Sequence, residues 1–179
     1  MAGIKAYIKM FFVELTIYYK TLLRYIPGVL GLKLRYNYYG KRFRNIGKNV
    51  ILNDMSIYQN SENISIGDRT NINRFCFING YGRVIIGSDV MIGPFVMIHS
   101  ANHNYLNENL KIPINKLGYS KSTTIIENNC WIGAHVSILP GAKIGEGCVI
   151  GANSVCVGEY PPNSVLVGAP ATVIKKRNE

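Results

Sequence analysis

Acidic residues are scarce: ten Asp and Glu stand against twenty Lys and Arg in 179 residues. The first 48 residues hold one acid, Glu14, among Lys5, Lys9, Lys20, Arg24, Lys33, Arg35, Lys41, Arg42, Arg44 and Lys48. The basic excess therefore sits at the N-terminal end and the rest of the chain is nearly neutral, which argues against a nucleic-acid groove along the main domain. Cysteine is sparse too. Cys76, Cys130, Cys148 and Cys156 form no framework of the kind that staples small secreted domains, which suits a reducing compartment. No run reaches the ~20 nearly uninterrupted apolar residues of a spanning helix. Charges at Lys5, Lys9 and Glu14 break up the first apolar residues, so no secretory leader is read there and a cytoplasmic setting is expected. With 47% hydrophobic residues and no low-complexity tract, the chain is long enough for one domain with a continuous core.

What is present is a period of six. Ile126, Ile132, Ile138, Ile144 and Ile150 open five consecutive hexads, with Cys130, Val136, Ala142, Cys148 and Ser154 at the fifth places. Isoleucine supplies 24 residues, so chance would give that run in one register at a frequency on the order of 10^-5. Six is neither the helical period nor simple alternation. It fits a coil of short strands, one inward aliphatic per side, with Gly, Asn or Asp tolerating each corner. Three sides close a turn of about eighteen residues, a hexapeptide β-helix. The cysteines fall at inward places and read as buried thiols.

The coil begins near Ile46 and runs through residues 46–160. Interruptions fall around residues 58–63 and 80–84, and Ile86, Ile92 and Ile98 then run in step. The next hexad start, Ile126, is not a multiple of six away, so residues 104–125 leave the coil as a long excursion that starts just after His103. Loops of that length are usually functional. Ahead of the coil, residues 1–45 form a basic, amphipathic helical segment. Ile4, Ile8, Phe11, Phe12, Leu15, Tyr18, Tyr19, Leu22, Leu23 and Ile26 recur at helical steps, and Pro27-Gly28 ends the helix. Its apolar stripe either packs on the coil or a neighbouring subunit, or lies in a membrane interface with its cations near anionic headgroups, residues 1–28 making a peripheral contact. Residues 161–179 are a tail ending in Lys175-Lys176-Arg177.

From Ile46 to Arg177 the chain resembles the hexapeptide-repeat acyltransferases. Within them it is most similar to the coenzyme A-dependent O-acetyltransferases of the maltose, galactoside and cell-surface polysaccharide group. Three features carry the likeness: Ile98-x4-His103 before the excursion, the return Cys130-Trp131-Ile132-Gly133, and the closing Pro162-Asn163-Ser164-Val165-x-x-Gly168-x-Pro170-Ala171. The resemblance implies a mainly β fold, a left-handed parallel β-helix of hexapeptide repeats with an N-terminal α-helical segment. It also implies a homotrimer with active sites between subunits, acetyl-CoA as donor, a sugar or glycan acceptor and no metal.

His103 is implied as the general base. A hydroxyl is a weak nucleophile, and an imidazole with an ordinary pKa near 6.5 is suited to taking its proton. Donor contacts are implied at Trp131, Gly133, Ala134, Gly151 and Ala152, largely through backbone groups that small residues leave accessible, although Trp131 also reads as an apolar corner plug. Family members commonly carry basic residues where this chain has Gly158 and Thr172, so Lys175 and Lys176, with Arg177 or Lys143 as alternatives, are the expected phosphate contacts. For the acceptor, Asn73, Asn79, Tyr105, Tyr119 and His135 are candidates. Asn at a corner also reads as a purely conformational choice, and His99 reads either as support for the site or as an exposed residue. Three alternatives stay open: N-acetylation of an amino sugar or nucleotide-sugar, a γ-type zinc carbonic anhydrase built on the three histidines, and a non-catalytic scaffold.

Overall fold

The computed structural model describes residues 2–107 and 110–178, with side chains from residue 6 onward; Ile4 of the helical stripe, the neighbouring Lys5, and residues 108–109 of the excursion carry expectations that lie outside the described side chains. Each hexad folds as a two- or three-residue strand followed by a corner, and the strands stack into three parallel sheets. Side A runs from Asn45–Ile46 through Ile64–Ile66, Val84–Ile86, Thr124–Ile126 and Lys143–Ile144 to Glu159–Tyr160. Side B runs from Ile51–Leu52 through Asn71–Ile72, Met91–Ile92, Trp131–Ile132 and Val149–Ile150 to Ser164–Gly168, on which Ala171–Lys176 folds back antiparallel. Side C holds Ile57–Gln59, Phe77–Asn79, Met97–His99, Ser137–Ile138 and Val155–Cys156. The chain visits A, B and C in turn, so it winds as a three-sided coil.

The register explains the interrupted hexads. Ile46 stacks on Ile66 and Ile66 on Ile86, so the first turns are twenty residues long, whereas Ile126 stacks on Ile144 eighteen residues on. The two extra residues fall at the same place each time, the corner from side C back to side A, where Ser61–Asn63 makes a short 3-10 turn. The interruptions are therefore part of a longer repeat.

Inside the coil the first-place residues form continuous columns. Ile72, Ile78, Ile98, Ile126, Ile132, Ile138 and Ile144 are fully buried. At the corners, one residue per side adopts the left-handed region: Asn49, Arg69, Asp89, Asn129 and Asn163 between A and B, and Met55, Phe75, Phe95, His135 and Asn153 between B and C, all with φ between 54° and 63°. For a non-glycine residue this conformation is costly by about 1–2 kcal/mol. Eight of these ten residues answer that cost with a backbone hydrogen bond to the preceding rung or, for Met55, to Arg24 O, as in His135 N to Pro94 O (3.0 Å) and Asn153 N to Ala134 O (3.0 Å). Glycine is required where rungs press closest: a Cβ on Gly67 would stand 2.5 Å from Ser88 N.

The N-terminal segment closes the open end of the coil. α1 (Ala2–Tyr25) and α2 (Gly28–Gly40) are joined across Ile26-Pro27, with Gly28 at φ 69°. Arg24 O accepts Met55 N (3.0 Å), so the end of α1 extends the corner ladder by one step. Arg35 is buried under the first rung; its Nε donates to Leu52 O (2.7 Å) and its Nη1 to Leu23 O (3.0 Å) and Ile26 O (2.7 Å). A fixed cation thus satisfies carbonyls at the end of α1, where the helix dipole favours it. Burial lowers the Arg35 pKa, opposed by Asp54. Tyr39, Phe43 and Tyr58 pack beside it, with ring centroids 4.7–5.3 Å apart.

Candidate active site

The excursion is a β-hairpin. Ala101–His103 pairs antiparallel with Tyr119–Lys121, placing His103 opposite Tyr119, so His103 stands on the hairpin rather than on the last coil strand. Buried hydroxyls pin its root. Ser100 Oγ donates to Asn79 O (2.7 Å) and accepts Gly82 N (2.8 Å), while Thr124 Oγ1 donates to His99 O (2.6 Å). The hairpin therefore leaves from the same C–A corner that is lengthened in the earlier turns.

His103 is exposed and borders a cavity of about 330 Å³ with Asn102, Asn104, Tyr105, Leu106, Leu117 and Ser120. Its ring centroid lies 4.2 Å from that of Tyr119, which meets Tyr81 edge-on at 5.5 Å. Lys121 Nζ stands 3.8 Å over the Tyr81 ring. Tyr81 and Lys121 escape a sequence reading; their one signal is that Tyr81 sits in the second interruption and Lys121 at the hairpin's return. His99 is half-buried against Phe77 at 5.4 Å, and burial pushes its pKa down, which keeps it neutral at neutral pH.

The candidate residues divide between two regions. His103, Tyr105, Tyr119 and Asn79 share the C–A corner. Asn79 is engaged there, its Oδ1 accepting Asn60 Nδ2 (2.8 Å) and Tyr81 N (3.0 Å), which agrees with a conformational role. Asn73 and His135 lie at the B–C corner instead. Asn73 Oδ1 accepts Arg74 N (2.8 Å), and His135 stacks on Phe95 at 4.7 Å, which stacks in turn on Phe75 at 4.8 Å.

The donor candidates also belong to side B and its corner with C. Trp131 projects from the outer face of side B between Met91 and Val149, and is 53% exposed. The amides of Gly133 and Gly151 are taken up by Ile150 O and Leu166 O (both 2.8 Å), and a Cβ on Gly133 would stand 2.7 Å from Ala152 N. These glycines are occupied by rung packing. Among the described residues, the N–H groups of Ala134 and Ala152 meet no acceptor, and successive rungs set the two about 4.8 Å apart. They are the backbone donors a ligand could use. Lys175 and Lys176 lie on the last strand, where Lys176 Nζ donates to Pro162 O and Ser164 Oγ (both 3.1 Å). Among the described residues, no three His, Cys, Asp or Glu side chains are grouped to hold a metal ion.

In a three-sided coil, side B faces away from the C–A corner. One copy of the chain therefore holds His103 and Trp131 on opposite sides of its own body.

A stacked hexad coil with a histidine-bearing corner hairpin defines a hexapeptide-repeat transferase. The family model for the bacterial transferase hexapeptide (six repeats) matches residues 123–158. The chain is similar in structure to a maltose O-acetyltransferase from Clostridium difficile 630, with a TM-score of 0.74 and 32% identity, covering 87% of this chain and 81% of that one. It is likewise similar to a hexapeptide-repeat acetyltransferase from Vibrio cholerae O1 biovar eltor, solved with acetyl coenzyme A, with a TM-score of 0.78 and 25% identity over 88% and 82% of the two chains. WbbJ of Escherichia coli K12, named for O-acetyl transfer in lipopolysaccharide biosynthesis, is 36% identical over 120 residues, 64% of this chain and 61% of its own. The chain spans about half the length of the curated relatives it matches. It belongs to the hexapeptide-repeat acetyltransferase family.

Proposed function

We propose that this chain is one subunit of an O-acetyltransferase that moves an acetyl group from acetyl-CoA to a sugar hydroxyl, in a surface polysaccharide or its lipid-linked precursor. The observation that carries the reading is the exposed imidazole of His103, set against Tyr119 beside an open polar cavity, with unpaired backbone donors at Ala134 and Ala152 on a different side of the coil.

His103 takes the acceptor proton as that oxygen attacks the thioester carbonyl; the C–S bond breaks, and the departing thiolate is protonated by the imidazolium. A backbone N–H aimed at the developing oxyanion stabilises it, which is the service Ala134 or Ala152 offers. Tyr105 and Tyr119 present ring faces to the sugar, and Lys175 and Lys176 supply point charges for the donor phosphates.

The site is completed between copies in a homotrimer. An exposed apolar band supports this: Met91 and Trp131 on side B, Phe75 and Phe95 at the corner, and Met97 on side C lie side by side. The setting is the cytoplasmic face of the membrane, with α1 as a peripheral contact. Among the described residues no helix is long and apolar enough to cross a membrane, yet Ile8, Phe11, Phe12, Leu15, Tyr18 and Leu22 all project from α1 half or more exposed.

The test is thiol release from acetyl-CoA with a panel of oligosaccharides, read beside sedimentation. His103→Ala should lose roughly 10^2- to 10^4-fold in turnover with an unchanged assembly. Retention of the parental rate would remove His103 from the mechanism.

A further inference from the structure

Two cavities at the N-terminal end of the coil share one wall, and neither belongs to the site around His103. The first is an apolar groove of about 890 Å³ along α1, lined by Leu15, Tyr18, Leu22, Tyr25 and Tyr38, with Arg42 at its end. The second is a polar pocket of about 440 Å³ where Lys20, Arg24 and Arg42 converge over Asn60, with Glu62 the single acid in its lining. Arg42 borders both, its guanidinium 3.6 Å over the Tyr38 ring.

Neither cavity is internally satisfied. The Arg24 Nε and the hydroxyl of the buried Tyr38 are enclosed without a hydrogen-bond partner. Among the described residues the ion pairs are Arg69–Asp89 and Arg74–Asp54, and neither engages Glu62 or these cations. Three positive groups against one negative leave a pocket suited to an anion, and guanidinium and ammonium donors match phosphate oxygens. The adjoining groove suits a hydrocarbon chain.

The pocket also points along the coil. Its floor, residues 57–62, is the C–A corner of the first turn, and the His103 hairpin leaves from that corner two rungs later, roughly 10 Å away at the usual strand spacing. A polar column joins them: Asn60 Nδ2 donates to Asn79 Oδ1 (2.8 Å), Asn79 Oδ1 accepts Tyr81 N (3.0 Å), and Tyr81 meets Tyr119, which lies against His103.

We propose that the groove and basic pocket bind the lipid phosphate of a lipid-linked saccharide, with the hydrocarbon along α1, the phosphate among Lys20, Arg24 and Arg42, and the sugars laid up the corner to His103. This rests on the acetyl-transfer reading and specifies its acceptor as an amphiphile with a phosphate between chain and glycan.

The experiment uses the full chain and measures binding of dodecyl phosphate below its micellar concentration, against dodecyl maltoside and inorganic phosphate. Dodecyl phosphate should bind best, lose roughly tenfold or more in Lys20→Glu/Arg42→Glu, and keep its affinity in Lys20→Arg/Arg42→Lys, which controls for folding. Equal binding by inorganic phosphate would make this a site for soluble anions and overturn the assignment. An unchanged affinity in the charge-reversed variant would overturn it too. A parallel and equal loss of binding to phosphatidylglycerol vesicles would reassign the cations to the bilayer surface. His103→Ala should leave dodecyl phosphate binding intact. A protein that binds the phosphate through these cations but turns over no sugar would retain this site while losing the acetyl-transfer reading, and the reverse result would separate them the other way.

Discussion

Cys76, Cys130 and Cys148 occupy fifth places in their hexads, and so do Ser56 and Thr70. All five donate to a carbonyl of the next rung's corner: Ser56 Oγ to Asn73 O (2.8 Å), Thr70 Oγ1 to Gly87 O (2.7 Å), and the three thiols to Gly93 O, Gly145 O and Pro161 O at 3.2 Å each. The place calls for a small side chain, and where that side chain can donate it binds a corner carbonyl of the next rung. Cys156 is also buried and free. Burial pushes the Cys76 and Cys130 thiols up to about 11 and that of Cys156 to about 12, from an ordinary 9.0. A raised thiol pKa stabilises the fold below pH 9, where both states hold the proton. Above pH 9 the unfolded chain ionises first, so stability falls as pH rises towards 11–12. The urea midpoint should therefore drop across that window, and a disulfide reagent at pH 8 should label the protein only after denaturation. Rapid labelling of the native protein would contradict the packing. That these cysteines point inward was legible from the period of six. Their hydrogen bonds were not, because the accepting carbonyls come from a rung thirteen to seventeen residues further on.

Among elements, the coil strands were readable because a single aliphatic per hexad leaves no other way to close a core, whereas the hairpin was not. Its pairing joins Asn102 to Ser120 across a stretch without period, so sequence placed His103 at the end of a coil strand. Arg35 reads as one more charge in a basic segment; its burial depends on carbonyls gathered from Leu23, Ile26 and Leu52, which no local pattern brings together. The helical stripe of α1 was legible, yet its surroundings differ from those of an ordinary packed helix. Leu23 is buried on the coil, while the residues before it project with their apolar faces open. Apolar rings and aliphatics flanked by Lys9, Lys20 and Arg24 suit an anionic interface. Ile8→Asp/Phe11→Asp alters exposed positions distant from the coil. It should abolish co-sedimentation with vesicles containing phosphatidylglycerol while leaving the thermal midpoint within about 2 °C, since substitutions on an open surface cost little. Undiminished sedimentation would return α1 to a contact between subunits.

At the scale of the whole molecule, the decisive fact is the separation of His103 from Trp131 and the Ala134 and Ala152 amides. The hairpin leaves from the C–A corner, and side B lies across the core, filled by Ile92, Ile132 and Ile150. If transfer needs both regions, each site draws its imidazole from one copy and its donor contacts from the next, and closed rotational symmetry repeats that junction around the ring. His103→Ala and Trp131→Ala chains, each made alone, should be weakly active. Unfolded together at equal amounts and reassembled, they place an intact His103 beside an intact Trp131 at about a quarter of the junctions under random mixing. Turnover should then recover towards about a quarter of the parental value, without any change in sequence. Recovery that fails although mixed oligomers are demonstrated by mass spectrometry would mean that both side chains serve a site within one chain, and the reading of the exposed apolar band as the subunit junction would fall with it.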